Sequence, residues 1–223
     1  MSHTFYDDAV LAAPKPGMAV YAAGGKRLVD LVLVVAMLPI VLPILALAWA
    51  LTAREGGGGF YSQPRIGRDG RVFRCWKIRT MVSDADAELA RLMAADPGIA
   101  TEWRTTQKLR NDPRVTRAGQ LLRRTSIDEL PQLWNVVMGE MSLIGPRPFT
   151  PNQKAMYDKS PDSAAYYTLR PGISGLWQVD RRNSGGFDER APYDALYARS
   201  LSLGHDLRII GRTLGAVCCA TGN

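Results

Sequence analysis

Histidine and cysteine are scarce in this chain of 223 residues, which has two histidines, His3 and His205, and three cysteines, Cys75, Cys218 and Cys219. Two distant histidines leave little room for an imidazole base or a histidine metal site. His205 has no nucleophile elbow to serve, which counts against a Ser-His-Asp hydrolase. The cysteine spacing fits neither a disulfide framework nor a zinc site and suits a reducing cytoplasm. No G-K-[ST] follows the glycine run at 56–59, so it reads as a flexible exit segment rather than a phosphate loop. There is no internal repeat and no DNA- or RNA-binding motif, and no nucleic acid is expected as a partner. Residues 1–25 hold small residues, two prolines and two acids and read as a flexible N-terminal arm. The apolar run that follows starts too late for a signal peptide.

That run, Leu28 to Ala53, carries one charge, Asp30. As a straight helix it would extend about 39 Å, enough for the ~30 Å hydrocarbon core of a bilayer. Pro39 and Pro43 interrupt it, and Pro43 divides it into pieces of about 22 and 16 Å, neither of which spans alone. Lys26 and Arg27 precede the run; Arg54, Arg65, Arg68, Arg71, Arg74, Lys77 and Arg79 follow it. Positive flanks stay on the cytoplasmic side, so basic residues at both ends favour a helix that enters and leaves through one leaflet. A kinked crossing helix is the alternative. The net charge of +7 suits an anionic membrane surface or phosphate-bearing substrates.

Chemistry concentrates in Arg123 to Pro148. An acid pair, Asp128-Glu129, precedes an apolar helical stripe at Leu130, Leu133, Trp134 and Val137. A glycine turn at Gly139, a short strand over Met141 to Ile144, and the rigid corner Gly145-Pro146-Arg147-Pro148 follow. The plain reading of the acids is helix capping, since Ser126-x-x-Glu129 spells a capping box. Pro131 spoils that box: counted from Ser126 it falls inside the helix, and counted from Asp128 it cannot donate to the cap. Asp128 is then left at a positive helix end with spare lone pairs, which favours an ionised carboxylate.

Elsewhere, Phe60 to Gln63 and Arg71 to Ile78 read as two strands of a hairpin turned at Asp69-Gly70. Lys77 and Arg79 alternate with Ile78 and share a face, where an ordinary solvated strand is the plainer alternative. Residues 83–109 read as helix, capped by Ser83-x-x-Asp86 and broken at Asp96-Pro97-Gly98. Residues 115–124 read as an amphipathic helix, either interfacial with its arginines at the headgroups or an ordinary core helix. A final helix over 201–217 has Leu203, Leu207, Ile210 and Leu214 along one face, suited to the membrane or to the core.

The stretch SIDELPQLWNVVMGEMSLIGPRP, with KRLVDLVLVVAMLPIVLPILALAW, GFYSQPRIGRDGRVFRCWKIRTM and LRPGISGLWQV around it, resembles the bacterial sugar transferase family of monotopic phosphoglycosyl transferases. The resemblance covers roughly Lys26 to Thr213. It departs at Leu42, where the family often has serine before the breaking proline, and at Arg181, which replaces a small residue. The resemblance implies an α+β chain: a proline-broken re-entrant membrane helix (26–55, broken at Pro43 with Pro39) and a small cytoplasmic catalytic domain (56–223). That domain would consist of short strands, amphipathic or interfacial helices and loops.

The resemblance also implies transfer of a sugar 1-phosphate from a UDP-sugar to undecaprenyl phosphate at the cytoplasmic face of a bacterial inner membrane. Asp128 would be the nucleophile, and Asp128 and Glu129 would hold Mg²⁺. Arg123 would meet the lipid phosphate and Arg147 would stabilise a phosphate. Lys77, Arg79, Arg170, Gln178 and Arg182 would contact diphosphate, base or sugar. Expected partners are the UDP-sugar, undecaprenyl phosphate and inner-leaflet lipids, with a homo-oligomer left open. A rival reading is a non-enzymatic membrane adaptor with a single spanning helix, which gives no reason for the acid pair or for Pro-Arg-Pro.

Overall fold

A computed structural model of the chain describes residues 20–54, 59–106, 109–181, 187 and 189–218. Most of the expected N-terminal arm, most of the glycine run and Arg182 lie outside them. The fold is mixed α/β: one long apolar helix followed by a small domain of short strands and helices. The long helix begins earlier than Lys26, because a π-helical turn, Tyr21–Gly25, runs straight into α1, Lys26–Ala53. Together they form one helix long and apolar enough to cross a membrane. Pro39 and Pro43 both sit inside α1.

One stripe of α1 is docked on the domain along its length. Asp30, Val34, Val41, Ala48 and Thr52 are buried, at the four- and seven-residue spacing of a single helix face. Val34 and Val41 join Phe73, Cys75, Leu133, Val136 and Met141 in one core cluster, and Ala48 joins Ile78 and Leu122 in another. Asp30, the lone charge of the run, is 4% exposed. It accepts hydrogen bonds from Ser142 Oγ (2.7 Å) and the Leu143 backbone N–H (3.1 Å). At the start of the helix, Asp206 accepts from both Tyr21 Oη and Lys26 Nζ, each at 2.6 Å. The other face exposes Leu28, Val32, Val35, Ile40, Leu42, Leu47 and Trp49.

The hairpin forms as the alternation predicts. Strands β1 (Phe60–Ile66) and β2 (Val72–Ile78) pair antiparallel, with Tyr61 opposite Lys77 and Arg65 opposite Phe73. Asp69 and Gly70 supply the left-handed residues of the turn. Next come α2 (Ala85–Ala95) and α3 (Pro97–Thr106), separated where Asp96 Oδ1 turns to cap the Gly98 N–H. Helix α4 (Arg117–Thr125) is capped by the Thr116 side chain. Arg114, just before α4, is buried in a 2.6 Å pair with Asp112 and covers the Trp103 ring.

A short 3₁₀ turn, Ile127–Glu129, leads to α5 (Gln132–Met138). Asn135, fully buried on α5, bonds Arg74 O and Trp76 N and so fastens α5 to the backbone of β2. Strand β3 (Ser142–Ile144) pairs parallel with β4 (Gly172–Ser174). Between them lie α6 (Lys154–Tyr157) and α7 (Ala164–Thr168). Leu176–Arg181 is helix α8; α9 (Arg190–Arg199) and α10 (Leu203–Cys218) follow. In α10 the leucine stripe faces outward, with Leu203, Leu207 and Leu214 exposed, while Ile209 closes the core on the opposite side. Ile210 is partly buried against that core.

Candidate active site

The acid pair occupies the 3₁₀ turn between α4 and α5. Ser126 adopts a left-handed conformation (φ 58°) that ends α4 and re-aims the chain into that turn. No side chain caps the turn or α5, which begins after Pro131, so the proline sits where no interior hydrogen bond is lost. The capping box that the spacing spells, and that Pro131 spoils, is absent, and both carboxylates are available for other partners.

Glu129 points at cations. Its Oε1 accepts from Lys77 Nζ at 2.7 Å and from Arg147 Nη2 at 3.2 Å. Burial pushes its carboxyl up, but Lys77 and Arg147 together hold it well below the usual range. Asp128 differs. It is 7% exposed, and among the described residues its carboxylate has no hydrogen bond or ion pair. Burial pushes it up to about 6, helped by the Glu129 charge and opposed by Lys77, Arg123 and Arg147. One acid is neutralised and fixed; its neighbour is poised, desolvated and uncommitted.

Two close backbone approaches set the surrounding cations. Gly119 of α4 lies against Thr80, whose carbonyl would be 2.1 Å from any Cβ added there. That approach lets Arg123 Nε bond Thr80 Oγ1 at 2.8 Å. At the other corner Gly145 crosses Gly172, with Arg170 O only 2.3 Å from an added Cβ. Pro146 and Pro148 are buried on either side of Arg147 and fix its direction.

Of the residues predicted from sequence, Asp128, Glu129, Lys77, Arg123 and Arg147 come together here. Arg79 lies over the Tyr61 ring at 6.0 Å, with its buried Nε unpartnered among the described residues. Arg170 Nε bonds Gly139 O at 2.9 Å. Gln178 lies over β4, its Nε2 3.5 Å from Ile173 O and its Oε1 without a partner among the described residues. Among the described residues, none of the three has a hydrogen bond or ion pair with the acid pair. Arg65 was missed. It lies on the Lys77 face of the hairpin and bonds Pro148 O and Gln63 Oε1. Burial lowers its pKa, as does neighbouring Arg147. The signal was its place two and four residues after Gln63 and Tyr61 on one strand face.

No group of three or more His, Cys, Asp or Glu side chains forms a metal cage among the described residues. A hard cation that keeps waters and substrate phosphates as ligands needs only one or two carboxylates. The Asp128 oxygens and Glu129 Oε2 are uncommitted here, so the pair fits that requirement.

Similar proteins narrow the chemistry. The exopolysaccharide production protein ExoY of Sinorhizobium fredii is 39% identical over 213 residues, 94% of this chain and 93% of its own length. The UDP-galactose-lipid carrier transferase of Erwinia amylovora is 43% identical over 192 residues, 86% of this chain but 40% of its own. The UDP-glucose:undecaprenyl-phosphate glucose-1-phosphate transferase of Caulobacter vibrioides is 38% identical over 197 residues, 85% of this chain and 68% of its own. The chain thus spans about two fifths of the Erwinia relative and nearly all of ExoY. Residues 21–220 match the bacterial sugar transferase family along most of the chain, acid pair and proline corner included, and the protein belongs to that family.

Proposed function

We propose that this protein transfers a sugar 1-phosphate from a UDP-sugar to undecaprenyl phosphate and releases UMP. It would act at the cytoplasmic face of a bacterial inner membrane, in the first membrane step of exopolysaccharide or related glycan synthesis. The observation that carries this reading is Asp128: a buried carboxylate without a partner among the described residues, facing cations, in a chain of this family. The names of the Erwinia and Caulobacter relatives supply the substrate class.

The geometry suits a two-step displacement. An Asp128 oxygen attacks the phosphorus next to the sugar. The bond to the nucleoside phosphate breaks, UMP leaves with the electron pair, and an aspartyl phosphosugar forms. An oxygen of the lipid phosphate then attacks the same phosphorus and returns the carboxylate to Asp128. Lys77 and Arg147, already fixed on Glu129, stabilise the equatorial phosphate oxygens without reorganising. Arg123, held by its bond to Thr80, would meet the lipid phosphate. Mg²⁺, held by Asp128 and Glu129 Oε2, would neutralise diphosphate charge. A non-enzymatic adaptor has no use for a desolvated carboxylate among cations, an arrangement that destabilises the fold.

The long docked stripe of α1 supports the re-entrant reading. Driving α1 straight across the bilayer would strip its far half from the domain and leave the apolar stripe from Val41 to Thr52 without its partners. Helices α4 and α5, which contact α1, and α10 also expose apolar side chains: Leu121, Trp134, Met138, Leu207 and Leu214. Such residues suit a domain lying on a leaflet. Cysteines placed at Gly24 and Arg54 are both expected to react only from the cytoplasmic side; labelling of either from outside would overturn this topology.

UMP release from a panel of UDP-sugars, with undecaprenyl phosphate and Mg²⁺, tests the activity. Lipid-dependent release from one sugar is expected, and release from none by folded protein would refute it. The acid limb of kcat/KM should fall away as pH drops below about 6, because Asp128 must be ionised to attack. Glu129 stays charged throughout and adds no second limb. Arg147→Ala should move the Asp128 limb to higher pH.

A further inference from the structure

Arg190 is a half-buried cation, its Nε fully buried, that the mechanism above does not use. It opens α9, where the positive end of a ten-residue helix repels it. Its guanidinium lies between the Trp177 ring (4.5 Å) and the Phe187 ring (4.6 Å). Its Nε is buried without a hydrogen-bond partner, and it forms no ion pair among the described residues. Asp194, one turn along α9, is a weak counter-ion: it accepts from Tyr157 Oη at 2.5 Å, and burial pushes its carboxyl up to about 7. Burial, with Arg147 and Arg65 nearby, pulls Arg190 down to about 10.

Around the acid pair the cations outnumber the anions. Lys77 and Arg147 share a single oxygen of Glu129, Arg123 opposes Asp128, and Arg65 and Arg190 lie close to Arg147. A desolvated arginine held by two rings against a helix dipole and other cations is costly in the free protein. The cost is recovered when a multiply charged anion arrives, and the rings leave the guanidinium edge directed and rigid for bidentate oxygen recognition.

Resting on the reading of the site as a UDP-sugar transferase, we propose that Arg190 binds the donor diphosphate and grips the phosphate that leaves with the nucleoside. Arg147 and Lys77 then serve the phosphorus under attack, and Arg190, near Arg147, serves the leaving group. Bond breaking moves negative charge onto that leaving phosphate, so Arg190 strengthens its hold as UMP forms.

Arg190→Gln is expected to raise KM for the UDP-sugar and to weaken product inhibition by UMP, each about 10- to 100-fold. KM for undecaprenyl phosphate should stay within about twofold. UMP should raise the thermal midpoint of the wild type and not of the variant. Arg190→Lys keeps the charge, loses the fork and should show the same donor-specific defect in milder form. Equal losses for both substrates, or unchanged UMP affinity in a folded variant, would overturn the proposal and leave a purely structural clamp. If neither variant folds, phenylglyoxal modification of wild-type Arg190 must be blocked by UDP; modification unaffected by UDP would overturn it. Wild-type protein that releases no UMP from any UDP-sugar would instead remove the underlying activity, so the two failures are distinguishable.

Discussion

Asp128→Asn is expected to lose UMP release by about 10⁴-fold or more while becoming more resistant to heat. The first half follows from removing the nucleophile of a two-step route. No labelled sugar phosphate should be trapped on the variant, whereas the wild type incubated without lipid acceptor should carry one. The second half follows from burial. The Asp128 carboxyl is raised from 3.8 to about 6 in the folded chain, so keeping it ionised above pH 6 costs about 2–3 kcal/mol. Below pH 3.8 it is protonated in both folded and unfolded states and the cost vanishes. The stability advantage of the variant should therefore be largest near neutral pH and shrink as pH falls from about 6 toward 4. A variant that is inactive and less stable at pH 7.5 would mean that Asp128 is a structural acid with a partner.

Asp30→Leu should destabilise the protein by about 3 kcal/mol, or roughly 6–12 °C in thermal midpoint, despite making the apolar helix more apolar. In a helix surrounded by lipid the same change would be favourable by a similar amount. The sign differs because Asp30 is docked, and its loss leaves the buried Ser142 hydroxyl and the Leu143 N–H without an acceptor. Asp30→Asn keeps one acceptor and should lose less. Thermal scans in detergent check the order wild type, Asn, Leu; a gain in Leu would show that this face of α1 meets lipid.

Much of the site could be read along the chain because its parts are local. The acid pair and Pro-Arg-Pro lie within one stretch, and the hairpin that delivers Lys77 is a short-range event. The capping box failed because the partners of Glu129 lie elsewhere: Lys77 is 52 positions away, beyond what spacing can report. Arg170 looked like a substrate cation, yet its Nε is engaged with the carbonyl of Gly139, 31 positions before it. The leucine stripe of α10 had the right period, but period alone does not say which side of an amphipathic helix meets the core. Arg190 had a legible anomaly, a cation opening a helix, that becomes informative only with the two rings beside it.

The bonds that hold the start of the long helix also set an order of events during synthesis. Tyr21 is among the first described residues to leave the ribosome, but its acceptor, Asp206, follows 185 positions later. Asp30 waits for Ser142, 112 positions on. Throughout that interval the apolar segment must be held at the membrane with its polar handles unmatched. The anchor is thus made before the domain it docks on and is locked only once α10 has followed. Truncation before α10 should therefore leave a chain that reaches the bilayer with the start of α1 unlocked.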